Sequence, residues 1–207
     1  MNLKKTLVTI VATAMLYAGA PGMAEAYRPV RGRTLETYVE TKDKTDTPAK
    51  IWAFFKTSIK YASDKEGKFK NHKGEERTLG NDYMQDPIDT YLRGKGDCDD
   101  YAALAHDWLK EAGYETKMIS YFAKGKKTGH AICAIKDDGK WSYLGCDNYK
   151  KGYTRIEELV AKNEPNWAVY YELTLDQTRP TGDRASNEVY RNEAAKKEWE
   201  RYIKSQK

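Results

Sequence analysis

"GKGDCDDYAALAHDWLKEAG", Gly94 to Gly113, carries the clearest local pattern in the chain. Asp97 is a natural N-cap and Asp100 stands at N3, the arrangement of a capping box. Tyr101, Leu104, Ala105, Trp108, Leu109 and Ala112 recur at i, i+3 and i+4, and Gly113 supplies the stop. The stretch therefore predicts an amphipathic helix that opens on a cysteine. Cys98 at N1 faces unpaired N–H groups and the positive end of the macrodipole, which favour a thiolate. Asp97, Asp99 and Asp100 oppose it, because adjacent negative charge disfavours another anion. A thiolate here needs a cationic partner, and histidine is the usual one.

The chain has three histidines. His106 lies on the same helix, about 12 Å along its axis and out of reach. His72 sits in a charged, Gly/Lys/Glu-rich stretch, Lys65 to Asn81, that reads as a mobile flap, so a solvated ring is expected there. His130 remains, in "TGHAICAIKDDGKWSYLGCDN", residues 128–148. Asp138-Gly139 in that segment signals a two-residue hairpin turn. The turn sets a register of Asp137 with Lys140, Ile135 with Ser142 and Cys133 with Leu144, and its continuation brings His130 opposite Asp147. Directly opposed side chains share a face, with Cβ atoms roughly 5 Å apart. A carboxylate beside an imidazole fixes its tautomer and favours the imidazolium. Nucleophile, base and orienter are thus expected in the order Cys98, His130, Asp147.

Cys133 and Cys146 are expected on the face away from His130, diagonal at roughly 7–8 Å between Cα atoms, too far for a comfortable disulfide. They read as core thiols, with a disulfide between them as the alternative. His130 and Cys133 point to opposite faces, which argues against zinc between them.

Outside this centre, "MNLKK", the apolar "TLVTIVATAMLYAGA" and "PGMAEA" form a basic region, a short hydrophobic core and an A-x-A exit. Residues 1–26 are read as a secretory signal cut before Tyr27, with an uncleaved anchor as the other possibility. No other segment is apolar enough to cross a membrane, so no stable membrane insertion is expected afterwards. A periplasmic or secreted location follows. Residues 27–46 read as a polar lead-in. "TPAKIWAFFKTSI" predicts a helix capped by Thr47 with Pro48 at N1. "TKMISYFA", "HAICAIK", "WSYLGCD" and "WAVYYELTL" predict strands. The main domain is placed at residues 47–178, followed by a charged helical tail, 179–207. The net charge is +5, with acidic and basic residues interleaved and no basic-aromatic stripe, so no nucleic-acid partner is expected.

"GDCDDYA", "GHAICAI" and "YLGCDN" resemble the Cys, His and Asp motifs of the transglutaminase-like cysteine peptidase superfamily. The approach "IKYASD…NDYMQDPIDTYLRGKGDCDDYA" is similar to that of its bacterial exported branch, and the resemblance covers roughly Ile51 to Asn148. It implies an α+β fold with a papain/transglutaminase-like core, in which the Cys-bearing helix packs on an antiparallel sheet. It further implies Cys98 as nucleophile, His130 as general base and acid and Asp147 as orienter, acting on an amide bond of a protein or peptide. The thioester acyl-enzyme would be resolved by water in a peptidase or by an amine in a transglutaminase. No cofactor is required on this reading. Some relatives bind calcium through the acids beside the cysteine, making Asp97 and Asp99 candidate ligands, with Asp100 able to add another donor. Helix capping alone also accounts for these acids. The Cys98 N–H suits one oxyanion donor, and Gln85 is a candidate for the second. The rival from another class is a non-catalytic binding or calcium-sensing domain on the same scaffold.

Overall fold

Apolar residues of the long strands alternate between two clusters, so the central sheet must be covered on both faces. The computed structural model describes residues 31–64, 67–79, 84–126, 128–173 and 186–191. The expected signal, residues 1–26, and most of the expected tail lie outside the described residues. Among the described residues, no helix is long and apolar enough to cross a membrane.

The helices are α1 (Leu35–Lys44), α2 (Pro48–Ser58), α3 (Pro87–Arg93), α4 (Cys98–Glu111) and α5 (Ile156–Asn163). Strands β5 (Glu115–Ala123), β6 (Gly129–Asp137), β7 (Lys140–Leu144), β8 (Tyr149–Tyr153), β9 (Trp167–Leu173) and β10 (Ser186–Arg191) form one sheet in the order β10-β9-β5-β6-β7-β8. All of its pairings are antiparallel. β1 (Lys60–Tyr61) and β4 (Lys95–Gly96) make a short parallel pair beside the entry to α4. β2 (Gly67–Lys70) and β3 (Glu76–Leu79) form a separate hairpin.

Helix α4 packs on β5 and β6. Tyr101, Leu104, Ala105, Trp108 and Leu109 meet Cys133 and Ile135 of β6 and Leu144 of β7, with Ile51 and Phe55 of α2 beside them. Leu104 and Leu109 are wholly buried, and each stabilises the fold by about 1.5–3 kcal/mol. The alternate residues Ile132, Ala134 and Tyr143 face the other way, against Leu159 and Val160 of α5. The result is a helix–sheet–helix sandwich with α4 on the central strands, an α+β fold as expected.

Several local expectations meet a different outcome. The lead-in holds α1, whose N-cap Thr34 accepts from the Thr37 N–H while Thr37 accepts from the Thr34 N–H. Only Tyr38 of α1 is buried, so its apolar pattern is too sparse to signal a helix. The stretch read as a flap contains the β2–β3 hairpin, and its turn is tied to α3. The His72 N–H donates to Asp89 Oδ1 at 2.7 Å, and His72 Nδ1 lies 3.3 Å from the same oxygen. His72 is not solvated, since its side chain is 10 % exposed and that of Asp89 1 %. In the expected helical tail, residues 186–191 form strand β10 on the edge of the sheet, because β9 offers a free edge for backbone pairing.

Candidate functional site

The Cys98 helix begins as its caps dictate. Asp97 is extended and precedes the first turn, and its N–H donates to Asp100 Oδ2 at 3.0 Å. Asp100 is completely buried. Its other donors come from Gln85, whose backbone N–H reaches Oδ1 at 2.6 Å and whose Nε2 reaches Oδ2. Burial still pushes Asp100 up to about 8, with the Asp97 charge adding to it and the N–H donors pulling the other way. Gly96 is required by this packing, because a Cβ there would lie 2.5 Å from Asp100 Cβ and Oδ2. Gln85 Nε2 also donates to the Lys95 carbonyl at 3.5 Å, and its Oε1 accepts from Arg93. Both amide hydrogens are engaged, so Gln85 braces Asp100 and does not present a free oxyanion donor.

The hairpin turn forms as its residues require, with positive φ at Asp138 (49°) and Gly139 (75°). Asp137 pairs with Lys140, Ile135 with Ser142 and Cys133 with Leu144. The ladder stops there. Residues 145–148 turn, closed by the Gly145 N–H donating to the Asn148 carbonyl at 2.9 Å. Asp147 therefore reaches His130 from a turn and not as a ladder partner. The separation from His130 Nε2 to Asp147 Oδ1 is 3.8 Å.

Tyr143 joins the two, and the sequence pattern did not single it out. Its hydroxyl lies 3.1 Å from His130 Nε2 and donates to Asp147 Oδ1 at 3.3 Å. A phenol has one hydrogen to give, so with that hydrogen on the carboxylate it must accept from Nε2–H. The relay runs His130 Nε2–H to Tyr143 to Asp147, and it leaves Nδ1 as the basic nitrogen. Tyr121, the cross-strand neighbour of His130, sets its ring edge-on to the imidazole at 5.6 Å between centroids. Gly145 leaves room for this cluster, since a Cβ there would sit 2.9 Å from both Asp147 Oδ1 and Tyr143 Cε1.

The Ala131 N–H, one residue beyond His130, pulls the Cys98 thiol towards the anion. Among the described residues, no hydrogen bond joins that sulfur to His130 itself. Contrary to the expected thiolate, burial pushes the Cys98 thiol up to about 12, with Asp99 and Asp97 adding to the shift. Burial also lowers His130 below the ordinary imidazole value, against the pull of Asp147 and Asp97. At neutral pH the two groups are a thiol and an uncharged imidazole. Desolvation keeps both groups neutral: at Cys98 the flanking acids reinforce it against the helix terminus, and at His130 it outweighs their pull.

Cys133 is buried and Cys146 half-buried, and neither is in a disulfide. Cys133 keeps to the face away from His130, packed with the α4 side chains. Cys146 does not. Its sulfur, a His130 ring nitrogen and an Asp147 oxygen all lie within 4.8 Å of one another, because the turn after Leu144 releases Cys146 from strand alternation. Carboxylate oxygens of Asp97, Asp99 and Asp100 form a second group at the same spacing, and Asp97 Oδ1 is buried without a hydrogen-bond partner. His106 is confirmed as remote from these groups, with its Nδ1 2.9 Å from the Thr116 hydroxyl.

A family model described as a transglutaminase-like domain matches residues 31–149, more than half of the chain. The protein belongs to the transglutaminase-like domain family. No curated protein matches the sequence. Among solved structures, calcium-bound LapG of Legionella pneumophila is 15% identical with a TM-score of 0.46, over 83% of this chain and 88% of that one. A second LapG structure from Legionella pneumophila is 14% identical with a TM-score of 0.46, over 83% of this chain and 86% of that one. EGTA-treated LapG is 14% identical with a TM-score of 0.44, over 83% and 87% respectively.

Proposed function

We propose that the protein is an exported thiol hydrolase that cleaves an amide bond of a protein or peptide through Cys98, His130 and Asp147. The observation that carries this reading is the His130–Tyr143–Asp147 relay, which leaves Nδ1 as base, one residue before Ala131, whose N–H favours the Cys98 thiolate. Cys98 Sγ attacks the carbonyl carbon, and its proton passes to His130 Nδ1. The imidazolium that forms is supported through Nε2–H by Tyr143 and, beyond it, the Asp147 carboxylate. His130 then protonates the leaving amine, and a thioester remains on Cys98. Water activated by His130 releases the acid; an amine in its place would give transamidation. The Cys98 N–H at the first turn of α4 serves as one donor to the developing oxyanion.

Asp97 and Asp99 fit a calcium ion, since the partnerless Asp97 Oδ1 is a hard oxygen donor buried beside other carboxylates. Asp100 is less free, as its oxygens already accept N–H donors from Gln85 and Asp97. Calcium bound there supplies positive charge that offsets the acids flanking the thiol. The signal-like residues 1–26 support export to the periplasm or beyond it.

The test is wild type against Cys98→Ala on a peptide library, with the acyl adduct located by mass spectrometry. Cleavage by wild type alone, with the adduct on Cys98, is expected. Equal cleavage by Cys98→Ala would refute Cys98 as the nucleophile, and no cleavage by either protein would favour the binding-domain reading.

A further inference from the structure

We propose that His130, Cys146 and Asp147 form a binding site for a thiophilic divalent cation, with zinc the preferred ion. The three side chains offer an imidazole nitrogen, a sulfur and a carboxylate oxygen, all within 4.8 Å of one another. Zinc bonds of about 2.0–2.3 Å in tetrahedral geometry put neighbouring donors roughly 3.4–3.6 Å apart. His130 Nε2 and Asp147 Oδ1 are already at 3.8 Å. The Cys146 sulfur has to close by little more than about 1 Å, within the reach of a χ1 adjustment.

The spacing is built into the fold. Cys146 and Asp147 are consecutive in a turn closed by the Gly145–Asn148 hydrogen bond, and Gly145 has no side chain to crowd Asp147. Before an ion enters, Tyr143 bonds to both His130 and Asp147 and so presets two of the donors at this distance. The side chains of His130 and Asp147 are 28% and 64% exposed, which leaves an entry path and a fourth position for water. A soft sulfur beside an imidazole selects zinc over calcium or magnesium, which take oxygen donors. This site differs from the acidic group at Asp97 and Asp99 in donors and in ion. On binding, the Cys146 S–H bond breaks, its electron pair goes to the metal, and the proton leaves to solvent; the His130 proton moves from Nε2 to Nδ1 through solvent, which frees the Nε2 lone pair for the ion and breaks its hydrogen bond to Tyr143. No oxidant or reductant is needed.

The consequence for activity rests on the thiol-hydrolase reading. An imidazole held by zinc cannot take the Cys98 proton, so the ion would be a reversible off-switch. Binding itself does not depend on that reading. The experiment therefore titrates wild type and Cys98→Ala in parallel with zinc, and with cobalt as a spectroscopic substitute, while melting curves confirm that each variant is folded. Both proteins should take up one equivalent of zinc, and the cobalt forms should show a sulfur-to-metal charge-transfer band in the near ultraviolet. Cys98→Ala/Cys146→Ala should lose the band and bind zinc at least about tenfold more weakly. Cys98→Ala/Asp147→Asn should keep the band but also bind more weakly. An undiminished band or affinity without Cys146 would overturn the proposal, as would loss of both in Cys98→Ala alone, which would assign the sulfur to Cys98. Failure of the hydrolase reading would appear separately, as absence of an acyl adduct on Cys98.

Discussion

Replacing Tyr143 by phenylalanine removes one oxygen from the half-buried relay and leaves the ring in place. That oxygen accepts from His130 Nε2–H at 3.1 Å and donates to Asp147 at 3.3 Å. In the resting protein both are ordinary hydrogen bonds, so the stability cost should be about 1–2 kcal/mol, or roughly 2–8 °C in Tm. During the reaction His130 becomes an imidazolium and the Nε2–H bond becomes charge-assisted, a contact worth about 1.5–3 kcal/mol. Asp147 can recover part of that by closing its 3.8 Å gap to Nε2. The net loss in the transition state is then about 1.4 kcal/mol, a roughly tenfold fall in kcat with KM little changed. Two measurements check the reasoning: turnover of a peptide identified from the library, and the 15N shifts of the His130 ring. Wild type should show Nε2 protonated and Nδ1 bare at neutral pH, and Tyr143→Phe should mix the tautomers. A variant with full turnover and an unchanged Nε2–H tautomer would refute the relay.

Iodoacetamide labelling followed by mass spectrometry tests the charge state of the thiol. Burial and the flanking acids hold Cys98 up to about 12, so its labelling should climb steadily from pH 7 to pH 10. A rate already at its plateau at pH 7 would show a preformed thiolate and contradict the neutral pair, while Cys133 should stay unlabelled until the protein unfolds. Gly96→Ala drives a methyl group into Asp100 and should cost about 2 kcal/mol, or roughly 4–8 °C in Tm by scanning fluorimetry. An unchanged melting curve would mean that Asp100 is not wedged where its hydrogen bonds suggest. Calcium at a hundredfold excess over Kd should add about 2.7 kcal/mol of stability, reversed by EGTA and abolished by Asp97→Asn. Melting that ignores millimolar calcium would leave the three acids as helix-capping groups.

The chain's own pattern determined α4, from Asp97 at its N-cap to the stop at Gly113, because capping and 3.6-residue periodicity are local properties. The same holds for the α2 start at Thr47-Pro48 and for the Asp138-Gly139 turn, whose positive φ angles set the register as far as Leu144. The motifs around Cys98, His130 and Asp147 made the family legible. Beyond Leu144 local rules ran out. A turn, not a ladder, carries Asp147 to His130, and the same turn swings Cys146 to the histidine, which strand alternation alone would forbid. Tyr143 was invisible because nothing in its neighbourhood of sequence distinguishes a core tyrosine from one whose hydroxyl meets an imidazole. His72 escaped for the same reason: its partner Asp89 lies on a helix in a different part of the chain. The charge state of Cys98 was decided last and furthest from the sequence. The helix terminus is a local field that spacing reveals, but the loss of water that outweighs it exists only once α4 and the sheet have packed together.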